Sequence, residues 1–223
     1  MPLSTRLPSR LSTLGLSLMA AALVSLTACG GGSSDAPAYG NSAMSTNLSQ
    51  MPVEALSAAE AQSLTFMREE EKLAGDVYTR LATVWGSQVR VFDNIAVSED
   101  AHTEAIRQLL ERYALPDPSA STGEGQYVNA DLQALYGQLV ASGSNSLDDA
   151  LRVGLTIEEL DIRDIQVALQ GIDNADIRTV YENLLSGSRN HLRAFYAVLT
   201  QRGGSYTPQY ISEADFLAIV NGA

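Results

Sequence analysis

The chain has 223 residues, a net charge of −12, 45% hydrophobic residues and 6% aromatic residues. That length suits one main domain with an ample, mostly aliphatic core. The acidic balance lacks the basic footprint of a nucleic-acid binder and would be repelled by an anionic membrane surface, so any membrane attachment has to be covalent.

Residues 1–28 have the layout of a secretory signal peptide. Arg6 and Arg10 supply a positive start, and Leu11 to Leu26 supply an apolar stretch too short and too rich in serine for a transmembrane span. Removal of this segment takes the net charge to about −14. It ends Leu26-Thr27-Ala28-Cys29, which resembles the bacterial lipobox, where cleavage precedes a cysteine that then carries the lipid. Cys29 is the only cysteine, which also excludes an internal disulfide and a thiolate cluster. Residues 29–54 follow as a flexible tether opening Gly30-Gly31-Gly32-Ser33-Ser34. The lipobox resemblance implies an exported protein anchored through Cys29. With no Asp directly after Cys29, it also implies the outer membrane, facing the periplasm, if the source is Gram-negative.

Residues 55–223 form the folded domain, in which helical periodicity dominates. A first helix runs from about Ser57 to Trp85, opened by the capping-box pair Ser57 and Glu60 and stopped by Gly86. A second runs from about Asp93 to Tyr113 and is ended by Pro116 and Pro118. Their short connection makes them antiparallel neighbours. Residues 115–145 are a long connector with one helical piece, about Ala130 to Ala141. A third long helix runs from Ser146, with Asp148 and Asp149 in its acid-rich start, to about Gln170. A fourth runs from near Asn174 to about Arg202, before Gly203-Gly204. A short final helix starts at Ser212, with Asp215 as capping partner and Phe216, Ile219 and Val220 docking it. Two antiparallel hairpins joined by a long crossover give an all-α chain with the connectivity of a ferritin-like four-helix bundle.

Each long helix has one buried stripe, and each stripe is interrupted by polar residues. The first reads Leu64, Met67, Glu71, Ala74, Tyr78, Leu81. The second reads Phe92, Ile95, Glu99, His102, Ile106, Leu109, Tyr113. The third reads Leu151, Leu155, Glu158, Ile162, Ile165, Leu169, and the fourth Ile177, Leu184, Ser188, His191, Phe195, Val198. The chain has two histidines, and both fall on these stripes. Buried ionisable groups are costly unless paired or bound to a metal, and Glu-x-x-His on an inward helical face is a metal-ligand arrangement. Plainer readings exist for each residue. The run Glu69-Glu70-Glu71 has the look of a solvated face, and Glu70 and Glu159 compete with Glu71 and Glu158 for the inward position. Glu99 and His102 could form a surface ion pair, and His191 could be a satisfied core histidine. Tyr78 and Trp85 fit packing better than redox roles. Four in-phase interruptions favour a metal site over a metal-free polar network.

The segments Glu71-x-x-Ala74-x-x-x-Tyr78, Glu99-x-x-His102, Gly154-x-x-x-Glu158 and His191-x-x-x-Phe195 resemble the ligand-bearing helix segments of rubrerythrin-type proteins. Arg68 to Ala74, Asn94-Ile95-Ala96 with Ser98-Glu99, Glu158 to Ile162 and Ser188 to Leu192 together resemble a ferritin-related family catalogued as domain of unknown function 2202. The resemblance spans roughly residues 55–220. It implies the ferritin-like fold and no established reaction.

A dinuclear bundle site takes one Glu from each of two helices and Glu-x-x-His from each of the other two. Here the set is Glu71, Glu99, His102, Glu158 and His191. Ser188 stands where a further Glu is expected; Asp161, three residues after Glu158, is the candidate replacement carboxylate, and the alternatives are a mononuclear, zinc-filled or inactive site. Carboxylates with imidazole suit iron or manganese, with zinc as the alternative. The expected protein is therefore an envelope metalloprotein that oxidises ferrous iron or reduces oxygen or peroxide. The alternative is a non-catalytic metal-holding or protein-interaction module. Its expected partners are metal ions, small oxidants and the membrane, through the lipid on Cys29; a dimer is open. No phosphate-cradling Gly-rich loop or Gly-x-Ser-x-Gly elbow is present.

Overall fold

The computed structural model describes residues 48–222. Among them lie six helices and no strand: α1 Ala58–Trp85, α2 Val91–Arg112, α3 Ala130–Gly143, α4 Leu147–Ala168, α5 Ala175–Gln201 and α6 Glu213–Val220. The signal segment, Cys29 and most of the tether lie outside the described residues. No helix among the described residues is long and apolar enough to cross a membrane.

Local sequence fixes most helix starts. Ser57 and Glu60 form a complete capping box on α1. Ser146 caps α4 through the Asp149 amide, and Ser212 caps α6 through the Asp215 amide. Each cap satisfies amides that the first helical turn leaves without partners. One start departs from the sequence pattern: α2 begins at Val91, two residues before Asp93, and its N-cap Arg90 makes no side-chain cap. Packing decides here. Phe92 is fully buried against the rings of Phe195 at 5.4 Å and Tyr78 at 6.5 Å, which draws the first turn in ahead of its acidic residue.

The helices pack pairwise. α1 lies along α2 and α4 along α5, each pair joined by a short connection; α1 also meets α4, and α2 meets α5. The crossover helix α3 lies on α1 and α4, and α6 lies on α5. Trp85, a packing anchor as expected, donates its indole N–H to the Gly143 carbonyl at 2.9 Å and so pins α3 to the end of α1. The stripes are buried as the periodicity requires, except that Tyr113, Leu169 and Val198 at their outer ends are half-buried. Gly154 lets the Phe195 ring of α5 pack close against α4: a Cβ there would stand 2.7 Å from it.

Several buried carboxylates tie loops to helices. Glu60 accepts the amides of Asp173 and Asn174, both at 3.2 Å. Glu69 accepts the amides of Val128 and Asn129. Glu159 accepts the Gln209 amide at 2.8 Å and the Tyr206 hydroxyl at 2.9 Å. Such charge-assisted bonds offset the cost of taking a carboxylate out of water.

Candidate metal centre

The four polar interruptions meet at mid-length of the four long helices. Glu71 comes from α1, Glu99 and His102 from α2, Glu158 and Asp161 from α4, and Ser188 and His191 from α5. Glu71, Glu99, Glu158, Asp161 and Ser188 are at most 1% exposed, and the two histidines 7–8%. The solvated-face reading of Glu69-Glu70-Glu71 is wrong: all three are buried. A helix packed on three sides by α2, α3 and α4 has no solvent for those directions.

The imidazoles bind the set together. His102 Nδ1 lies 3.1 Å from Glu71 Oε2 and 2.9 Å from Glu99 Oε2. His191 Nδ1 lies 2.7 Å from Glu99 Oε1 and 3.5 Å from Glu158 Oε2. The two rings stack with centroids 5.4 Å apart. Glu99 is therefore the hub, touching both histidines. One donor atom from each of Glu99, His102 and His191 lies within 4.8 Å of the others.

The outer faces of the rings are set by other residues. His191 Nε2 is 2.9 Å from Ser98 Oγ, which turns Nδ1 inward. The Nε2 edge of His102 abuts Gly187, where a Cβ would stand 2.5 Å away. Tyr78 donates its hydroxyl to Glu158 Oε1 at 2.6 Å, a role beyond simple packing. Ser188 is not available as a donor toward the centre: its hydroxyl bonds back to the Leu184 carbonyl at 3.1 Å.

Of these imidazole–carboxylate contacts, only His102 Nδ1 with Glu71 Oε2 is an aligned hydrogen bond. Both oxygens of Glu99, Glu71 Oε1, Glu158 Oε2, His191 Nδ1 and both oxygens of Asp161 are buried without a hydrogen-bond partner. Groups that paired only with each other would align along their N–H directions. Lone pairs directed instead at common space are what a cation requires, and carboxylate with imidazole is a donor set suited to iron, manganese or zinc. The residues present therefore fit a metal.

Charge is distributed to match. Burial pushes the Glu99 carboxyl up, but His191 and His102 outweigh it and hold it well below the usual range. Burial lowers His102, yet Glu99 and Glu71 hold it well above its ordinary value. His191, with Glu99 and Glu158 opposing the same penalty, is raised to about 10. Burial lifts Glu71 to about 7 against the pull of His102, and lifts Glu158 against that of His191. Without metal, protons occupy places that a cation would take, so metal binding must release them.

The competing glutamates are separated by their neighbours. Glu71 and Glu158 face the histidines, whereas Glu70 interacts first with Asp164 of α4 and Glu159 with the C-terminal segment. Burial, and after it the carboxylates of Glu70, Glu71, Glu158 and Glu99, raise Asp161 well above its ordinary value. Sequence reasoning missed Ser98 and Gly187. Gly187 precedes Ser188, whose place on the stripe was visible, and a glycine one step off a buried stripe signals close approach. Ser98, on the edge of the α2 stripe, gave no such signal.

The chain matches the family described as Uncharacterized protein domain (DUF2202) over residues 60–223. It is 46% identical over 176 residues to a protein named Uncharacterized protein MJ0754 from Methanocaldococcus jannaschii, covering 79% of this chain and 94% of that protein. It is also similar to a solved structure titled Crystal structure of hypothetical protein MJ0754, from the same archaeon. The TM-score is 0.75 at 46% identity, over 78% of this chain and 98% of that one. The match spans all four helices that supply the cluster, and the chain belongs to the DUF2202 family.

Proposed function

We propose that this protein is a ferritin-like four-helix bundle of the cell envelope, tethered through a lipid on Cys29. Its carboxylate–histidine centre binds iron or manganese and serves to oxidise ferrous iron or to reduce oxygen or peroxide. The supporting observation is the convergence of Glu99, His102 and His191 on one point, ringed by buried oxygens that have no partner. Four long helices packed as two hairpins, with each pair meeting the other, support the bundle reading.

Each residue has a part in this reading. Glu99 spans the two imidazoles and is the common ligand. His102 and His191 offer Nδ1 as neutral donors once their protons leave. Glu71 and Glu158 flank them, and Tyr78 holds Glu158 in orientation through its hydroxyl. Ser188 leaves the α5 side without a carboxylate, an opening that a small oxidant needs. Asp161 of α4 supplies the further carboxylate from another side. Bound iron or manganese would contribute the one-electron steps that no side chain of this set can supply.

A second reading is favoured by one observation: donors at most 1% exposed, apart from the histidines, describe a closed site, and closed sites are commonly structural. The deciding experiment uses the full chain, purified without chelators or a histidine tag. Elemental analysis gives the native metal, and absorbance after ferrous loading follows the response to oxygen and to peroxide. Iron or manganese that responds to oxidant is expected. A firmly held zinc, or no metal after ferrous reconstitution, would favour the structural module. Unchanged metal content in Glu99→Gln would refute the ligand assignment.

A further inference from the structure

Three of the four seams around the centre are shut. Between α1 and α2, a Cβ on Gly75 would stand 3.3 Å from Glu99 Cβ. Between α4 and α5, the Phe195 ring fills the space over Gly154. Between α1 and α4, Tyr78 reaches across to Glu158 at 2.6 Å, and α3 is laid over both helices. Along the bundle axis the way is blocked by buried side chains: Tyr78, Phe92 and Phe195 toward one end, Met67, Ile106 and Leu184 toward the other.

The fourth seam, between α2 and α5, is different. Beside the centre it is bordered by Ser98 on α2 and Gly187 on α5, both small and both half-buried. The imidazoles form its floor. His191 Nε2 is 2.9 Å from Ser98 Oγ, and the Nε2 edge of His102 lies 2.5 Å from where a Gly187 Cβ would stand. His102 and His191 are accordingly the most exposed members of the centre, at 8% and 7%, against at most 1% for its carboxylates. The plain alternative is that small residues here serve close helix packing. Close packing buries the glycine, as at Gly75 and Gly154, whereas Gly187 is left half-open.

We propose that the α2–α5 seam at Ser98 and Gly187 is the entrance of the centre, through which a divalent cation or a small oxidant passes the outer edges of the two imidazoles. This rests on the metal-centre reading above and adds the route to it. A cation that sheds water on this path meets the Ser98 hydroxyl first, then the imidazoles, then Glu99 behind them. An entrance acts on rates alone. Bulk placed in it slows uptake and release by the same factor and leaves affinity unchanged, because the path belongs to neither the free nor the bound state.

The test is stopped-flow kinetics of the full chain with cobaltous ion, whose visible absorbance changes on binding, with release measured into excess chelator. Ser98→Ala is the reference, since it loses the hydroxyl without adding bulk. Ser98→Leu loses the same hydroxyl and adds bulk. The two variants should have affinities within about twofold, while uptake and release in Ser98→Leu are both slower by about tenfold or more. Equal rates in the two variants would overturn the entrance and leave the centre intact. Slower uptake with unchanged release would mean a damaged site rather than a narrowed path, and would overturn it as well. No cobalt binding by wild type would overturn both the entrance and the centre. Circular dichroism checks folding. If Ser98→Leu does not fold, Ser98→Thr, which keeps the hydroxyl and adds one methyl, is compared with wild type, where both rates should fall about threefold at unchanged affinity.

Discussion

Glu158 and Glu159 are adjacent in α4 and equally buried, yet their surroundings are opposite. On Glu159, two backbone amides and the Tyr206 hydroxyl converge on Oε2, while Oε1 has no partner. Glu158 meets a tyrosine hydroxyl on one oxygen, while the other faces an imidazole without hydrogen-bond alignment. The same division separates Glu69 from Glu71 on α1. A buried carboxylate whose charge is met by several converging donors joins segments without a cation. One that faces other ionisable groups is complete only when something cationic joins it. Burial alone therefore says nothing about function; the identity of the neighbours does.

The largest expected effect is a crossed pair of outcomes. Glu159→Gln removes the charge that three donors converge on and should cost about 2–3 kcal/mol of stability, measured by urea unfolding, with metal content per folded chain unchanged. Glu158→Gln should weaken metal binding by at least about tenfold, while the metal-free protein unfolds within about 1 kcal/mol of wild type. If both variants lose stability and both retain metal, the division between the two glutamates fails.

Gly187→Ala tests the same division from the outside. The new methyl would stand 2.5 Å from His102 Nε2, so ring or helix must move. Overpacking of this kind costs about 1–3 kcal/mol, and the displaced imidazole should weaken metal binding about tenfold. The two losses together are expected. A stability loss with unchanged metal affinity would show that His102 is a core histidine and not a ligand.

Much of this was legible before the structure. The spacing of Glu71, Glu99, His102, Glu158 and His191 within apolar stripes placed them inward, because a helix that buries one face buries every residue on it. That the neighbours of Glu71 and Glu158 in each run are buried as well was not legible. Glu69, Glu70 and Glu71 are all buried because the crossover and α4 cover two further sides of α1, and α1's own periodicity contains nothing about segments 50 to 90 residues distant. Ser98 was hidden for a related reason: its value lies in a 2.9 Å contact with a side chain of another helix. The early start of α2 was hidden by a tertiary preference, the burial of Phe92, which prevails over the local capping signal.

A smaller effect is expected at Ser98. Ser98→Ala leaves His191 Nε2 without its oxygen partner, so the ring loses the bond that directs Nδ1 inward. Metal affinity should fall within the roughly tenfold to hundredfold range of lost outer partners, toward its lower end because Ser98 is half-buried and water can replace the hydroxyl. Isothermal titration of wild type and variant with the same metal reads this directly, and equal affinities would remove Ser98 from the site.

The smallest effect extends the comparison to a third kind of carboxylate. Glu104 lies on the outer face of α2 and takes two bonds from Arg107, at 2.7 and 2.8 Å, and one from Gln108. The Arg107 bonds, against a smaller burial penalty, lower its carboxyl from 4.5 to about 2. Because the folded value is depressed, the stabilisation is fully present above about 4.5 and is lost as pH falls through about 2. The side chains are 35% and 40% exposed, so solvent screening reduces the pair to about 0.5 kcal/mol. Glu104→Gln should therefore unfold in urea slightly below wild type at pH 7. The gap should narrow below pH 4.5 and shrink in high salt. A gap that widens on acidification would mean that Glu104 is more strongly held when protonated, and would place it with the buried centre rather than with the solvated surface.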